Sequence, residues 1–345
     1  MVNLNCENSK RVIVFGATGT VGAYTCLHLK DCGLEVIAVG HRDSDNGFFQ
    51  EYGISYVSVD ITDCEQFSRL PSRDIFAIVN LAGMLPARMK GYQPQVYIDT
   101  NMTGMLNILE YAAKTDVSRV VFSQSISDVA HLCGSNEPIS SDAESLFPLD
   151  NDHSVYSITK NAAASLLQHY SCRCGFRYYI LRFPNIYLYH PNPYYYVDGK
   201  LKMQGYRQLI YTAMRGEEIQ IWGNPGKVRD IVYVKDCTQI IALCITKENA
   251  ESGKYNVGTG IGTSLEEQVK GIIKVFSPAD TPSPIKYRPD MPDAAEYIFD
   301  VSKTKEKLGY TPRYDYISYL EDFKKEMKAN TFEKLWGKEE TYKKQ

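Results

Sequence analysis

The chain has 345 residues, of which 44% are hydrophobic and 23% charged, with a net charge of -3. That is enough apolar material for a large core in one long domain or two lobes. The slightly acidic balance excludes the electrostatic footprint of a protein built for nucleic acid or for an anionic membrane.

No apolar run reaches bilayer length, and the opening Met1-Val2-Asn3-Leu4-Asn5-Cys6 lacks the charged and apolar regions of a signal peptide. The 9 cysteines and 6 histidines are scattered. Cys172 and Cys174 are the only close cysteine pair, and no zinc-ligand spacing accompanies them, so no metal site is expected. These features predict a cytoplasmic protein with reduced thiols and no membrane or nucleic-acid partner.

Arg11-Val12-Ile13-Val14-Phe15 is a short apolar run closed by Gly16 and reads as a buried parallel strand. Gly16-Ala17-Thr18-Gly19-Thr20-Val21-Gly22 follows, then a helical stretch to Lys30, a stop at Gly33 and a second strand over residues 34–39. This is a βαβ unit. Further strands are expected at 56–60, 75–81, 119–122 and 178–181, with helices at 101–114 and 154–170. The alternation predicts an α/β fold, a Rossmann-type doubly wound parallel sheet of about seven strands.

After Asn185 the character changes. Residues 187–199 are dense in Tyr, Pro and Asn without a period, which predicts a long loop at a site. A helix is expected over 206–215, a strand over 231–234 and a helix over 236–246. The charged end, 323–345, predicts a helix with a frayed tail. The division places residues 1–185, with 229–260 returning, in a dinucleotide-binding domain. Residues 186–228 and 261–330 form a smaller C-terminal substrate-binding lobe, and 331–345 a C-terminal tail.

Gly16, Gly19 and Gly22 follow a strand and open a helix. There a tight turn lets the backbone approach a pyrophosphate and the helix N-terminus offers free N–H groups to its charge. Thr18, Thr20 and Val21 complete the loop. The second strand ends Val39-Gly40-His41-Arg42, without the carboxylate that would bind a ribose 2′-hydroxyl. Arg42 can pair with a 2′-phosphate, although Asp43 stands one step further on and a solvated or stacked Arg42 stays open. The cofactor is therefore NAD(P), leaning to NADP. Asp60 and Ile61 end the third strand, placed to meet the adenine. Leu81, Ala82 and Gly83 end the fourth, where small residues allow close approach.

Val155-Tyr156-Ser157-Ile158-Thr159-Lys160 sets a tyrosine and a lysine one helical turn apart. A tyrosine with a pKa of about 10 is a poor base at neutral pH. A nearby cation favours the phenolate, and the pair then takes a proton from a sugar or alcohol hydroxyl. On pattern alone, with 26 tyrosines in the chain, a solvated helix face explains the spacing as well.

The order of the pieces carries more than any one of them. They are the glycine loop, Asn80-Leu81-Ala82-Gly83, Asn101, Ser123-Gln124-Ser125, Tyr156 with Lys160, and Leu181-Arg182-Phe183-Pro184-Asn185. Arg229-Asp230-Ile231-Val232-Tyr233-Val234-Lys235-Asp236 and Tyr255-Asn256-Val257-Gly258 complete the set. Together they resemble the extended short-chain dehydrogenase/reductases of the NAD-dependent epimerase/dehydratase family, nearest in type to the UDP-glucose 4-epimerases. The resemblance runs from about Arg11 to about Pro312.

It implies a catalytic set of Tyr156, Lys160 and Ser125, with Ser123 and Ser127 as competitors for the serine's role. Tyr156 takes the hydroxyl proton, Lys160 lowers its pKa and bonds the nicotinamide ribose, and Ser125 bonds the reacting oxygen. Asn101, Ser123 and Phe183 join the cofactor contacts. Asn185 and Arg229 meet a nucleotide-sugar substrate, and Arg288 is a second phosphate clamp or a surface arginine. Departures fall at the sugar pocket. Ile126-Ser127 replaces the Asp-Glu of the 4,6-dehydratases, which disfavours dehydration. Leu188-Tyr189-His190-Pro191 replaces Gly-Pro.

The leading expectation is an NAD(P)-dependent nucleotide-sugar epimerase. The others are a one-way reductase or dehydrogenase of a sugar nucleotide or other carbonyl compound, and a non-catalytic dinucleotide sensor. A homodimer through the helices at 101–114 and 154–170 is expected, with Ala162-Ala163-Ala164-Ser165 as contact surface or as packing against the sheet.

Overall fold

Strand β1 (Arg11–Phe15) has four of its five residues buried, as a strand covered on both faces requires. The computed structural model describes residues 10–135, 137–151, 153–197 and 199–343; the opening hexapeptide lies outside them. From β1 the chain alternates: α1 (Thr20–Asp31), β2 (Glu35–Gly40), α2 (Phe48–Glu51), β3 (Ser55–Ser58), β4 (Ala77–Asn80), α3 (Pro94–Tyr97). A π-helical turn, Ile98–Thr103, leads into α4 (Gly104–Lys114), then β5 (Arg119–Ser125), α5 (Ser154–Cys174) and β6 (Arg177–Phe183).

Beyond β6 come β7 (Ile186–Tyr187), β8 (Tyr194–Val197), β9 (Lys200–Met203), α6 (Gly205–Met214), β10 (Ile219–Trp222), β11 (Val228–Asp230), β12 (Val232–Tyr233) and α7 (Val234–Thr246). The chain closes with β13 (Gly253–Asn256), β14 (Gly262–Ser264), α8 (Leu265–Phe276), β15 (Ile285–Arg288), α9 (Ser302–Leu308), α10 (Tyr316–Ala329), α11 (Glu333–Trp336) and α12 (Glu339–Tyr342).

Seven strands make the central sheet, in the order β13-β6-β5-β4-β1-β2-β3, and every neighbouring pair is parallel. Side chains alternate between its faces. Val12, Val14, Val79 and Leu181 point into a core shared with Ala23, Cys26 and Leu29 of α1 and with Ile240 and Ile241 of α7. Ile13, Phe15, Ile78 and Ile180 point the other way, into a core with Met105, Ile108 and Leu109 of α4 and with Ala163, Ala164 and Leu167 of α5. The strand order reverses between β1 and β4, and the crevice at their carboxyl ends is where a doubly wound sheet takes a ligand.

Two expectations are corrected. The seventh strand of the sheet is β13, while residues 231–234 give only the short β12, which pairs with β7 outside the sheet. The stretch after Tyr187 is not loop throughout: Tyr194–Val197 and Lys200–Met203 form an antiparallel hairpin, in which a Cβ on Gly199 would lie 2.7 Å from the Lys90 carbonyl oxygen. The charged end packs on the fold as far as it is described, to Lys343. Phe332, Leu335 and Trp336 are buried, a 332, 335, 336 spacing that is the apolar stripe of a helical turn. Ala163 and Ala164 pack in the core against the sheet, while Ala162 is half-buried and Ser165 exposed. Among the described residues no helix is long and apolar enough to cross a membrane. Among the described residues the cysteines are free and no metal-ligand cluster occurs.

Candidate active site

The glycine loop joins β1 to α1 at the crevice. Gly16 has φ 78, a left-handed conformation, and a Cβ there would lie 2.6 Å from the Ala82 backbone nitrogen. A Cβ on Gly22 would lie 2.1 Å from the Gly16 carbonyl oxygen. Only hydrogen fits at either position, so the loop is drawn tight against the first turn of α1 and the end of β4. The Gly19 N–H closes on the Gly16 oxygen at 3.0 Å. The first bond within α1 runs from the Ala23 N–H to the Gly19 oxygen at 3.0 Å, and no side chain caps the helix. The N–H groups of its opening turn, at Thr20, Val21 and Gly22, are thus the orphan donors that favour an anion.

His41 and Arg42 are exposed just beyond β2, and Arg42 donates to the Leu335 carbonyl at 2.7 Å. Asp60 is exposed and turned to Thr62, whose hydroxyl it accepts at 2.8 Å. Ile61 packs on α4, where a Cβ on Gly104 would lie 2.5 Å from it. Leu81, Ala82 and Gly83 follow β4; the Leu81 N–H bonds the Phe15 oxygen at 3.0 Å, which seats this stretch beside the glycine loop. Asn101 is buried inside the π-helical turn, a distortion that often marks functional sites. Its Oδ1 accepts from the Met84 N–H at 2.8 Å and its Nδ2 donates to the Thr159 hydroxyl at 3.2 Å. Asn101 thereby ties the loop after β4 to the helix of Tyr156 and Lys160.

Tyr156 and Lys160 are buried on one face of α5 against the end of β5. A side-chain hydrogen bond links Tyr156 to Ser125, whose Oγ also accepts from the Ser127 N–H at 3.2 Å. The Lys160 ammonium donates to the Ser123 hydroxyl at 3.4 Å and lies 4.2 Å from the centre of the Phe122 ring. So the structure brings Ser123, Ser125, Tyr156 and Lys160 together. Ser127 keeps its hydroxyl buried without a partner.

Burial dominates the electrostatics of both Tyr156 and Lys160. Burial, the largest cause, pushes Tyr156 up to about 12; the Ser125 hydrogen bond opposes it, and Tyr97 and Asp128 add to it. Lys160 is not among those influences. Burial in turn lowers Lys160 itself to about 7. Desolvation wins over pairing at both groups. No carboxylate pairs with the ammonium among the described residues.

Phe183 is buried at the end of β6, in register with Ser125. Asn185 is exposed just beyond it. Arg229 bonds the Ala295 carbonyl at 2.6 Å and the Tyr187 hydroxyl. Arg288 stands apart from this group on β15, forked onto Asp290 at 2.9 and 2.7 Å.

Sequence reasoning missed the props of the site. Asp128 and Arg182 form a buried ion pair, with bonds of 2.9, 3.2 and 3.0 Å, beneath the turn that carries Ser125. Asp230 accepts from the N–H groups of Thr259, Gly260 and Phe299 and from the Thr259 hydroxyl, and so fixes the strand bearing Arg229. The Tyr97 ring lies 6.1 Å from that of Tyr156. A carboxylate beside each family-like motif was the available signal, but its partner is remote in sequence.

Residues 12–258 match the sequence model of the NAD dependent epimerase/dehydratase family. A putative UDP-glucose 4-epimerase of Methanocaldococcus jannaschii is 24% identical over 309 residues, covering 88% of this chain and 94% of that protein. The structure is similar to UDP-glucose 4-epimerase of Thermotoga maritima with UDP-glucose, with a TM-score of 0.69 and 25% identity over 92% of this chain and 99% of the other. It also shares its fold with UDP-glucuronic acid 4-epimerase of Bacillus cereus in complex with NAD, with a TM-score of 0.69 and 20% identity over 92% and 97% of the two chains.

Proposed function

Since this chain belongs to the NAD dependent epimerase/dehydratase family of enzymes, we propose that it is a nucleotide-sugar epimerase acting by transient hydride transfer. The observation that carries the reading is the cluster of Ser125, Tyr156 and Lys160 at the crevice end of β5, with the ammonium left without a carboxylate. The tight glycine loop and the open N-terminal turn of α1 fit a dinucleotide pyrophosphate. Gly16, Thr18, Gly19, Thr20, Val21 and Gly22 would hold it, with Asn101 and Ser123 at the inner end and Asp60 and Ile61 at the adenine. A bound dinucleotide would supply a nicotinamide able to accept and return the hydride of the sugar's carbinol carbon.

The chain's own residues do the proton work. Ser125 holds the reacting oxygen beside Tyr156 and, by its hydrogen bond, draws the phenol's pKa down. Tyr156 Oη receives the hydroxyl proton and gives it back after inversion. Lys160, beside Ser123, stabilises the phenolate in its ammonium form, which the polar groups of a bound ligand favour by offsetting the desolvation. Arg229 suits a diphosphate by its forked donors, and Asn185 and Phe183 line the sugar side. UDP-sugars are the substrates to expect, since the similar structure of Thermotoga maritima holds UDP-glucose. The lack of a carboxylate at His41 and Arg42 supports NADP at the adenosine end. The exposed side chains of Ile98, Leu106 and Ile158 on the π-helical turn, α4 and α5 support a homodimer through that face.

The test is incubation of the purified protein with UDP-glucose, UDP-galactose, UDP-N-acetylglucosamine and UDP-glucuronate, with the epimers separated chromatographically. Interconversion of one pair without net formation of reduced cofactor is expected. Stoichiometric reduction of added dinucleotide would instead establish a one-way dehydrogenase.

A further inference from the structure

The last described residues lie across the glycine loop. Phe332 packs its ring 4.5 Å from that of Tyr24 in α1 and 5.4 Å from that of Phe48 in α2. It stacks on Trp336 at 4.4 Å. The His190 imidazole also lies 4.4 Å from the indole. Held in this aromatic slot, the indole N–H donates to the Thr18 carbonyl at 3.0 Å. The adjoining Gly19 N–H is bonded to the Gly16 oxygen at 3.0 Å. The peptide between Thr18 and Gly19 is therefore fixed from both edges.

The same segment reaches the end of β2. The Leu335 carbonyl accepts from Arg42 at 2.7 Å, and the Lys334 carbonyl from Asn46 at 2.9 Å. The Tyr342 hydroxyl then bonds the Trp336 carbonyl at 2.5 Å, which folds α12 back onto the contact. Two further bonds anchor the segment away from the loop: Lys334 pairs with Glu51 of α2, and Glu339 accepts from Arg207 of α6 at 3.2 Å. A C-terminal piece that served only to finish the core would need its rings alone. This one directs donors and acceptors at the two stretches that bracket the adenosine half of a dinucleotide site.

We propose that residues 332–342 are a wall of the dinucleotide site, with Trp336 as a positioning residue that sets how tightly the adenosine half is held. The inference rests on reading the glycine loop as the cofactor site. Fixing the loop peptide and Arg42 beforehand removes ordering that binding would otherwise have to impose. A reaction that leaves net redox unchanged gains from such retention, because the same dinucleotide serves every turnover.

The chain has 2 tryptophans, and Trp222 lies exposed on β10. In Trp222→Phe, emission therefore reports Trp336 alone. ADP-ribose is the probe, followed in parallel by calorimetry and fluorescence, with UDP as control. Saturating ADP-ribose is expected to change Trp336 emission, and UDP is expected to leave it unchanged. Trp336→Phe deletes the N–H donor along with part of the buried ring surface; it is expected to bind ADP-ribose about tenfold more weakly, as loss of one hydrogen bond implies, and UDP as before. ADP-ribose binding that leaves Trp336 emission unchanged, or parental ADP-ribose affinity in Trp336→Phe, overturns the proposal alone. If calorimetry detects no ADP-ribose binding to parent protein freed of any retained dinucleotide, the reading of the glycine loop falls and this one with it.

Discussion

Replacing Asp128 by Asn removes one charge and almost no volume. Its partner, the Arg182 guanidinium, is 1% exposed, as is Asp128 itself. Arg182 donates to both Asp128 oxygens, to the carbonyls of Ser140 and Ser141 at 3.1 and 3.2 Å, and to Asn256 Oδ1 at 3.2 Å. In Asp128→Asn those last three bonds survive, but the buried positive charge loses its counter-charge. Breaking a buried pair by removing one partner costs about 3–5 kcal/mol. The amide keeps one acceptor oxygen, which places Asp128→Asn near the lower end and Asp128→Ala near the upper.

Against a total stability of about 5–15 kcal/mol this is a large fraction. Urea unfolding at neutral pH should show a lowered midpoint with an unchanged slope. Because Ser125 opens the same turn, turnover should fall as well. A loss under about 1 kcal/mol, the magnitude of a solvated ion pair, would refute the reasoning. The Arg288 and Asp290 pair supplies the contrast: it lies in water, and Asp290→Asn should leave the midpoint unmoved.

Burial holds Lys160 down to about 7, whereas the unfolded chain keeps the ordinary lysine value of about 10.4. Between those values the unfolded chain binds more protons, so this group's contribution to stability rises with pH. Lys160→Met should therefore exceed the parent in stability most clearly at pH 6, and its urea midpoint should draw toward the parent's by pH 9; a constant gap would show that the lysine is not desolvated. The Ser125 hydrogen bond lowers the Tyr156 pKa, so Ser125→Ala should move the acid limb of the kcat profile to higher pH, and an unmoved limb would detach Ser125 from the tyrosine. Arg42→Ala should weaken NADP about tenfold in calorimetry and leave NAD within about twofold, the size of one charge-assisted contact; equal losses for both would remove the 2′-phosphate from the account.

Local chemistry made much of the fold legible. The apolar run Arg11–Phe15 emerged as β1 residue for residue, because a strand buried on both faces leaves an uninterrupted apolar signature. Tyr156 and Lys160 share a helix face as their spacing requires, and Asn101 reached the crevice. What the pattern could not carry was distance in sequence. Asp128 finds Arg182 54 positions away, and neither side chain advertises the other. The hairpin at Tyr194–Val197 and Lys200–Met203 lacks the apolar alternation that marks a half-buried strand, since its tyrosines are all partly exposed. Trp336 was hidden by the lysines and glutamates around it, although the spacing of Phe332, Leu335 and Trp336 held the signal. Spacing fixes which side chains share a face, but only burial tells how strongly desolvation opposes their charges.

The central assignment is the proton carried by Tyr156 Oη. Tyr156→Phe removes that oxygen and leaves the glycine loop intact, so its interconversion of the UDP-sugar pair turned over by the parent should be measured alongside its ADP-ribose affinity. Turnover should fall by about 10²–10⁴, the contribution of a positioned acid–base group, with affinity kept. Epimerisation at the parental rate by Tyr156→Phe would contradict the account.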